Sequence, residues 1–360
     1  MSVIRSIQAI QIIDSRGTPT VSCKLTLENG TCATSMVPSG ASTGSREALE
    51  LRDGNEAYLG KGVNKALANI HEIIAPALIG MDVTNQQDID EKMLALDGTS
   101  TKSRLGANAI LGVSLAVLNA GSKTLELPLY QYINQVFDHI NGEKPKMQMP
   151  TPMLNIINGG EHADNNIDIQ EFMIMPVGAS NFSQAMQWAS EIYSDLKGIL
   201  NAKGLSTSVG DEGGFAPNLQ SNQEAIELII QAIQNNNLTE GKDVGIALDC
   251  AASEFYKNGT YNLQGESIKL NSSEFTSYLS ELTDKYPILS IEDGMDENDF
   301  EGWKNLTKAL GDKCQLVGDD LFVTNVVELQ RGIDDSLANS ILIKFNQIGT
   351  ITETMKTIYL

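Results

Sequence analysis

Six short apolar runs recur down the second half of the chain, at 153–157, 172–175, 244–248, 288–291, 316–317 and 341–343, with amphipathic stretches such as 184–200, 223–233 and 274–282 between them. Alternation of strand-length and helix-length segments implies α/β architecture, with a parallel sheet closing into a barrel. A closed (β/α)8 barrel needs eight strands, so this chain is expected to lack the last two strand-helix units. The ends of the runs carry the chemistry. Leu248 leads into Asp249, Ile291 into Glu292, Gly318 into Asp319 and Ile343 into Lys344. In such a barrel the carboxyl ends of the strands meet at one rim, where active sites sit. Three carboxylates gathered there repel one another unless a hard cation lies between them, and all-oxygen ligands favour Mg²⁺ or Mn²⁺ over Zn²⁺. A lone acid after a strand is usually a helix cap or half of an ion pair, and Asp293 and Asp320 read that way. Lys344 has two readings: an amine beside a cation, which loses its proton easily and serves as a base, or a buried lysine paired to Asp319 or Glu292.

The first half has a different texture. Val21, Cys23, Leu25 and Leu27 alternate with polar residues, which predicts a half-buried strand, and Asn29-Gly30 predicts a hairpin turn. Val63, Leu67, Ile70, Ile74 and Leu78 mark one helical face, and 109–118 is a nearly continuous apolar helix. The polar cluster 141–145 then places a boundary between an α+β domain (1–140) and the barrel domain (141–360).

Charge narrows the partners. Lys and Arg total 25 against 46 Asp and Glu, a formal net charge of −21, which disfavours nucleic acid and anionic membranes. An anionic substrate would therefore need positive charge supplied inside its site. The four cysteines form no C-x-x-C pair, as expected of reduced thiols in a cytoplasmic protein. Neither a signal peptide nor a membrane span is expected.

Two glycine-rich segments, Gly210-Asp211-Glu212-Gly213-Gly214-Phe215-Ala216-Pro217 and Asn158-Gly159-Gly160-Glu161-His162-Ala163-Asp164, match neither a P-loop nor a dinucleotide fingerprint. Tight turns explain their glycines but not Glu212 or His162. His71 and His139 lie in helical stretches and read as structural. The small, polar segment 38–45 reads as a linker or a mobile lid.

Taken together, these segments resemble enolase. The likeness rests on Asp14-Ser15-Arg16-Gly17, Ser39-Gly40-Ala41-Ser42-Thr43-Gly44, the His162 loop with Asp168-Ile169-Gln170-Glu171-Phe172, residues 210–217, Leu248-Asp249-Cys250-Ala251, Ser290-Ile291-Glu292-Asp293, Gly318-Asp319-Asp320-Leu321 and Lys344-Phe345-Asn346-Gln347-Ile348-Gly349-Thr350, all in family order. The His162 loop has a bacterial form, and Thr18 stands where the family commonly has Asn. The resemblance implies an N-terminal α+β domain followed by an enolase-type (β/α)8 TIM-like barrel. It also implies Mg²⁺-dependent, reversible dehydration of 2-phosphoglycerate to phosphoenolpyruvate, in glycolysis and gluconeogenesis. It assigns Lys344 as base and Glu212 as acid, and Asp249, Glu292 and Asp319 as ligands of a first Mg²⁺. Ser42 would help bind a second Mg²⁺ that arrives with substrate, and His162, Gln170, Glu171, Glu292 and Asp319 would line the substrate pocket. A cytoplasmic homodimer is implied, with a secondary cell-surface or secreted pool. The family's last two strand-helix units bring a His-Arg-Ser segment and a second lysine. The 360-residue chain is thus expected to be a fragment or poorly active. The alternatives are another acid dehydratase or racemase of the superfamily, and a non-catalytic binder of plasminogen or of an RNA-degradation assembly.

Overall fold

The computed structural model describes residues 2–40 and 44–360. The chain divides into two compact units. One comprises Met1–Met147, Phe322–Gln330 and Ile343–Leu360, and the other Gln148–Leu321 and Arg331–Leu342.

In the first unit β1 (Ile4–Ile13), β2 (Pro19–Leu27) and β3 (Cys32–Met36) form an antiparallel sheet in chain order. Val21, Cys23, Leu25 and Leu27 are fully buried as the alternation predicts; of the polar alternates Lys24 and Glu28 are exposed, whereas Ser22 is buried too. Gly30, with φ +86°, supplies the left-handed residue of the hairpin turn. Helices α1 (Asn64–Asn69), α2 (Ala75–Leu78), α3 (Gln86–Asp97), α4 (Ala107–Thr124) and α5 (Leu129–Asn141) follow. A π-turn at Ile70–Ile74 joins α1 to α2. It keeps Ile70 and Ile74 in the core while His71 Nε2 accepts the Ala9 N–H at 2.9 Å. The near-continuous apolarity of α4 reflects burial on most of its surface. Gly112 lets it approach the sheet, because a Cβ there would meet Val21 and Val37 at 3.3 Å.

The second unit is built on a six-stranded sheet that begins with β4 (Leu154–Asn158), β5 (Glu171–Met175) and β6 (Gly245–Asp249). Helices α6 (Phe182–Ala202) and α7 (Asn222–Asn235) precede β6. After β6 comes a meander, β7 (Tyr256–Lys257), β8 (Thr260–Leu263) and β9 (Ile268–Leu270). Its Tyr261 stacks on Phe275 of α8 (Ser272–Lys285). Then follow β10 (Ile288–Glu292), α9 (Phe300–Leu310), β11 (Gln315–Gly318), α10 (Val326–Asp335) and β12 (Ser340–Ile341). The six strands of the sheet stand in the order β12-β11-β10-β6-β5-β4.

One expectation needs correction. The sheet is not parallel throughout: β5 runs antiparallel to both β4 and β6, and only β6, β10, β11 and β12 pair in parallel. The physical reason is the link from β4 to β5. It contains only the short turn Gly160–His162, and no crossover helix of the kind a parallel return requires. Helices in both units start on side-chain caps, at Asn181, Ser221, Asn271, Asp299 and Thr350, each satisfying an N–H that the first turn leaves open. The chain re-enters the first unit with α11 (Phe345–Ile348) and α12 (Ile351–Tyr359). Asp90 accepts both the N–H (2.9 Å) and Oγ1 (2.7 Å) of Thr352, fixing α12 on α3.

Candidate active site

The register of the second sheet lines up its acids. Asn158 pairs with Glu171, Glu171 with Asp249, Asp249 with Glu292, and Glu292 with Val317. Directly paired residues face the same way, so Glu171, Asp249 and Glu292 occupy neighbouring places in one row on one face. Asp319 stands two residues beyond Val317, just past the end of β11, and its charge acts on Asp249. The three metal-ligand candidates are almost fully buried, with Asp249 at 6%, Glu292 at 9% and Asp319 at 7% exposure. Burial, the charge of Glu171 and the charge of Asp319 push Asp249 up to about 7.

The tightest group of acids among the described residues is a different trio, Asp293, Asp319 and Asp320, whose ligand oxygens all lie within 4.8 Å of one another. Asp249 and Glu292 are not part of it. Asp293, at φ +40°, turns back so that its two oxygens accept the backbone N–H groups of Asp319 (3.0 Å) and Asp320 (2.9 Å). Its carboxylate therefore shapes the exit of β11, rather than capping a helix.

The link from β4 to β5 reaches the same rim. Gln170 donates its Nε2 to Asp249 Oδ2 (3.0 Å) and its backbone N–H to the Asp249 carbonyl (3.0 Å), while its buried Oε1 has no hydrogen-bond partner among the described residues. His162 Nδ1 lies 3.2 Å from Glu171 Oε1. Burial pulls the imidazole down, but the close Glu171 carboxylate, with the charges of Glu212 and Asp249, outweighs it and raises the His162 pKa. Glu212 is exposed, in a loop folded back on β4: Gly214 donates to Asn158 Oδ1 (2.8 Å) and Asp211 N–H to the His162 carbonyl (3.0 Å). A Cβ on Gly210 would come within 2.4 Å of that carbonyl, which explains the glycine.

Lys344 follows β12 and caps α11, its N–H donating to Thr324 Oγ1 at 2.8 Å. Lys344 falls in the first unit, and the acids in the second. Ser42 lies outside the described residues.

Sequence reasoning missed the supports. Asp168 accepts the Gly265 N–H at 3.1 Å, and Asn222, 1% exposed, accepts the Ile169 N–H at 3.2 Å, so the residues before Gln170 are pinned from two sides. Both were hidden because an Asp in a loop, or an Asn in the first turn of a helix, is common, and only tertiary contact distinguishes these.

The donor set fits a hard divalent cation. Buried carboxylates aligned in one row repel one another, burial and the charges of Glu171 and Asp319 raise the Asp249 pKa, and a cation would relieve both. Comparison with family descriptions agrees with this architecture. Residues 4–133 match the enolase N-terminal domain, and residues 146–360 match the enolase C-terminal TIM barrel domain.

Proposed function

The chain belongs to the enolase family, and on that premise we propose that it catalyses the reversible, Mg²⁺-dependent dehydration of 2-phosphoglycerate to phosphoenolpyruvate. The observation that carries this reading is the row of buried acids on neighbouring strands, with Asp249 raised to about 7 by burial and by the charges of Glu171 and Asp319. Asp249, Glu292 and Asp319 would hold the first Mg²⁺, and Ser42 would contribute to a second that comes with the substrate. Bound there, the ions supply Lewis-acid neutralisation of the substrate carboxylate, worth several kcal/mol.

The chain's own residues do the rest. Lys344, as a free amine, takes the proton from C2. The electrons of that C–H bond form the C2–C3 double bond, and the C3 hydroxyl departs as water after taking a proton from Glu212. Gln170 positions Asp249 through Nε2, and its open Oε1 is an acceptor for a substrate hydroxyl. The Glu171 carboxylate 3.2 Å away favours the protonated form of His162, and that form would suit an anionic substrate group. Charge build-up on a carboxylate is what demands divalent ions. An ordinary hydrogen bond contributes only ~0.5–1.5 kcal/mol net, too little to offset removal of a weakly acidic carbon proton. We assign the activity to glycolysis and gluconeogenesis, in the cytoplasm and in a homodimer.

The test is ultraviolet detection of phosphoenolpyruvate with and without Mg²⁺. Turnover, even if slow, that needs Mg²⁺, stops with EDTA and disappears in Lys344→Ala is expected. Turnover in metal-free buffer, or undiminished turnover in Lys344→Ala, overturns the assignment.

A further inference from the structure

Val323 and Thr324 sit side by side in the left-handed region, at φ +43° and +54°, and both are buried to 1% exposure or less. Two consecutive β-branched residues in that conformation are costly, and such strain persists only where surrounding contacts enforce it. Here three neighbouring residues enforce it. The Thr324 carbonyl accepts the hydroxyl of Thr357 from α12 at 2.9 Å. Its Oγ1 donates to Gln347 Oε1 at 3.0 Å, which aims the oxygen's lone pairs away from Gln347, and the same Oγ1 accepts the Lys344 N–H at 2.8 Å. Gln347 is itself 2% exposed, and its backbone carbonyl takes the Ala48 N–H at 2.8 Å. Anchoring α12 alone would use only the Thr324 carbonyl, which any residue possesses. The hydroxyl is spent on Lys344 and Gln347.

We propose that Thr324 is a positioning residue for Lys344: the strained turn presents its hydroxyl, oriented by Gln347, to the backbone from which the Lys344 side chain leaves. This rests on the reading of Lys344 as the base. Neither Thr324 nor Gln347 needs to touch substrate. They act by restricting where the Lys344 amine can stand, and near-attack geometry is sensitive to small displacements.

The test compares Thr324→Ala with Thr324→Ser in the full 360-residue chain. Both replacements remove β-branching, so both relieve strain, and they differ only in the hydroxyl. Trace acetylation by acetic anhydride, resolved by mass spectrometry with exposed Lys285 as internal standard, reports the environment of Lys344 whether or not the chain turns over. Thr324→Ala is expected to change the relative labelling rate of Lys344 about fivefold, the equivalent of one ordinary hydrogen bond, and Thr324→Ser to restore it. In turnover, kcat of Thr324→Ala falls by a similar factor with KM little changed. Equal Lys344 labelling in the Ala and Ser variants overturns the proposal. Lys344→Ala is the separate control. If it keeps full turnover, the base assignment fails, while the Ala–Ser labelling comparison still decides whether Thr324 positions Lys344.

Discussion

Replacing Asp249 by Asn separates what the acid row costs the fold from what it offers a metal. The carboxyl of Asp249 is raised from 3.8 to about 7, by burial first and then by Glu171 and Asp319. A folded pKa above the unfolded one means that stability is full below the unfolded value and is lost as pH rises through the folded value. At about 1.36 kcal/mol per pH unit, that displacement gives a loss of about 4 kcal/mol between pH 4 and neutrality. The amide introduced by Asp249→Asn cannot ionise, so the variant escapes that loss. Against this, Asp249 accepts the Ala251 N–H at 2.9 Å and Gln170 Nε2 at 3.0 Å, and Asn can serve only one of them as acceptor. That sacrifice costs about 1–3 kcal/mol. The metal-free variant is therefore expected to be about 1–3 kcal/mol more stable than the parent at pH 8 and no more stable at pH 4. Urea unfolding followed by the emission of fully buried Trp303, which lies in the same unit, reads the difference. Adding Mg²⁺ shifts the balance back toward the parent. The parent gains about 2.7 kcal/mol at a hundredfold excess over its dissociation constant, and Asp249→Asn gains little. A variant less stable than the parent at pH 8 without metal, or equally stabilised by Mg²⁺, refutes the reasoning.

Two further substitutions test the packing. Thr352→Val removes the 2.7 Å hydroxyl bond to Asp90, which is fully buried, and loosens α12. A loss of about 1.5–3 kcal/mol is expected near neutral pH, read as a lower urea midpoint. Burial raises the Asp90 pKa, so the loss shrinks toward acid pH as the carboxylate becomes neutral, and an unchanged midpoint at pH 7 would contradict it. Tyr261→Phe leaves the Asp296 N–H without its 3.0 Å acceptor and Asp299 without its 2.8 Å donor. A cost of about 1–3 kcal/mol is expected, with the far-ultraviolet spectrum unchanged. A stability equal to the parent would show that water replaces the phenol.

The runs 244–248, 288–291 and 316–317 were legible because apolar side chains filling both faces of a strand leave a continuous hydrophobic signature, and the acids stood out where those runs stop. Strand direction left no such mark. The run 172–175 reads alike in either orientation, and only the short link before it hinted that β5 turns back. The meander from Tyr256 to Leu270 escaped because strands of two to four residues are too short to show a period. The left-handed turn at Val323-Thr324 was invisible for the opposite reason. Local preference argues against that conformation, and it exists because Thr357, Gln347 and Lys344 outvote it.

Because β5 runs against its neighbours, its first residue stands level with the last residue of β6, and the 158–171 connection leaves and returns at the same rim. One loop thus contributes twice, with His162 on its way out and Gln170 with Glu171 on its way back. The opposite end of the sheet, where Gly178 hydrogen-bonds to the Asp243 carbonyl at 2.9 Å, holds none of these groups. Lengthening the chain there should leave chemistry alone, whereas a single residue inserted between Asn158 and Glu171 would shift three polar side chains at once. Peptide tags or reporter domains grafted onto this scaffold belong at that end of the sheet rather than in the 158–171 connection.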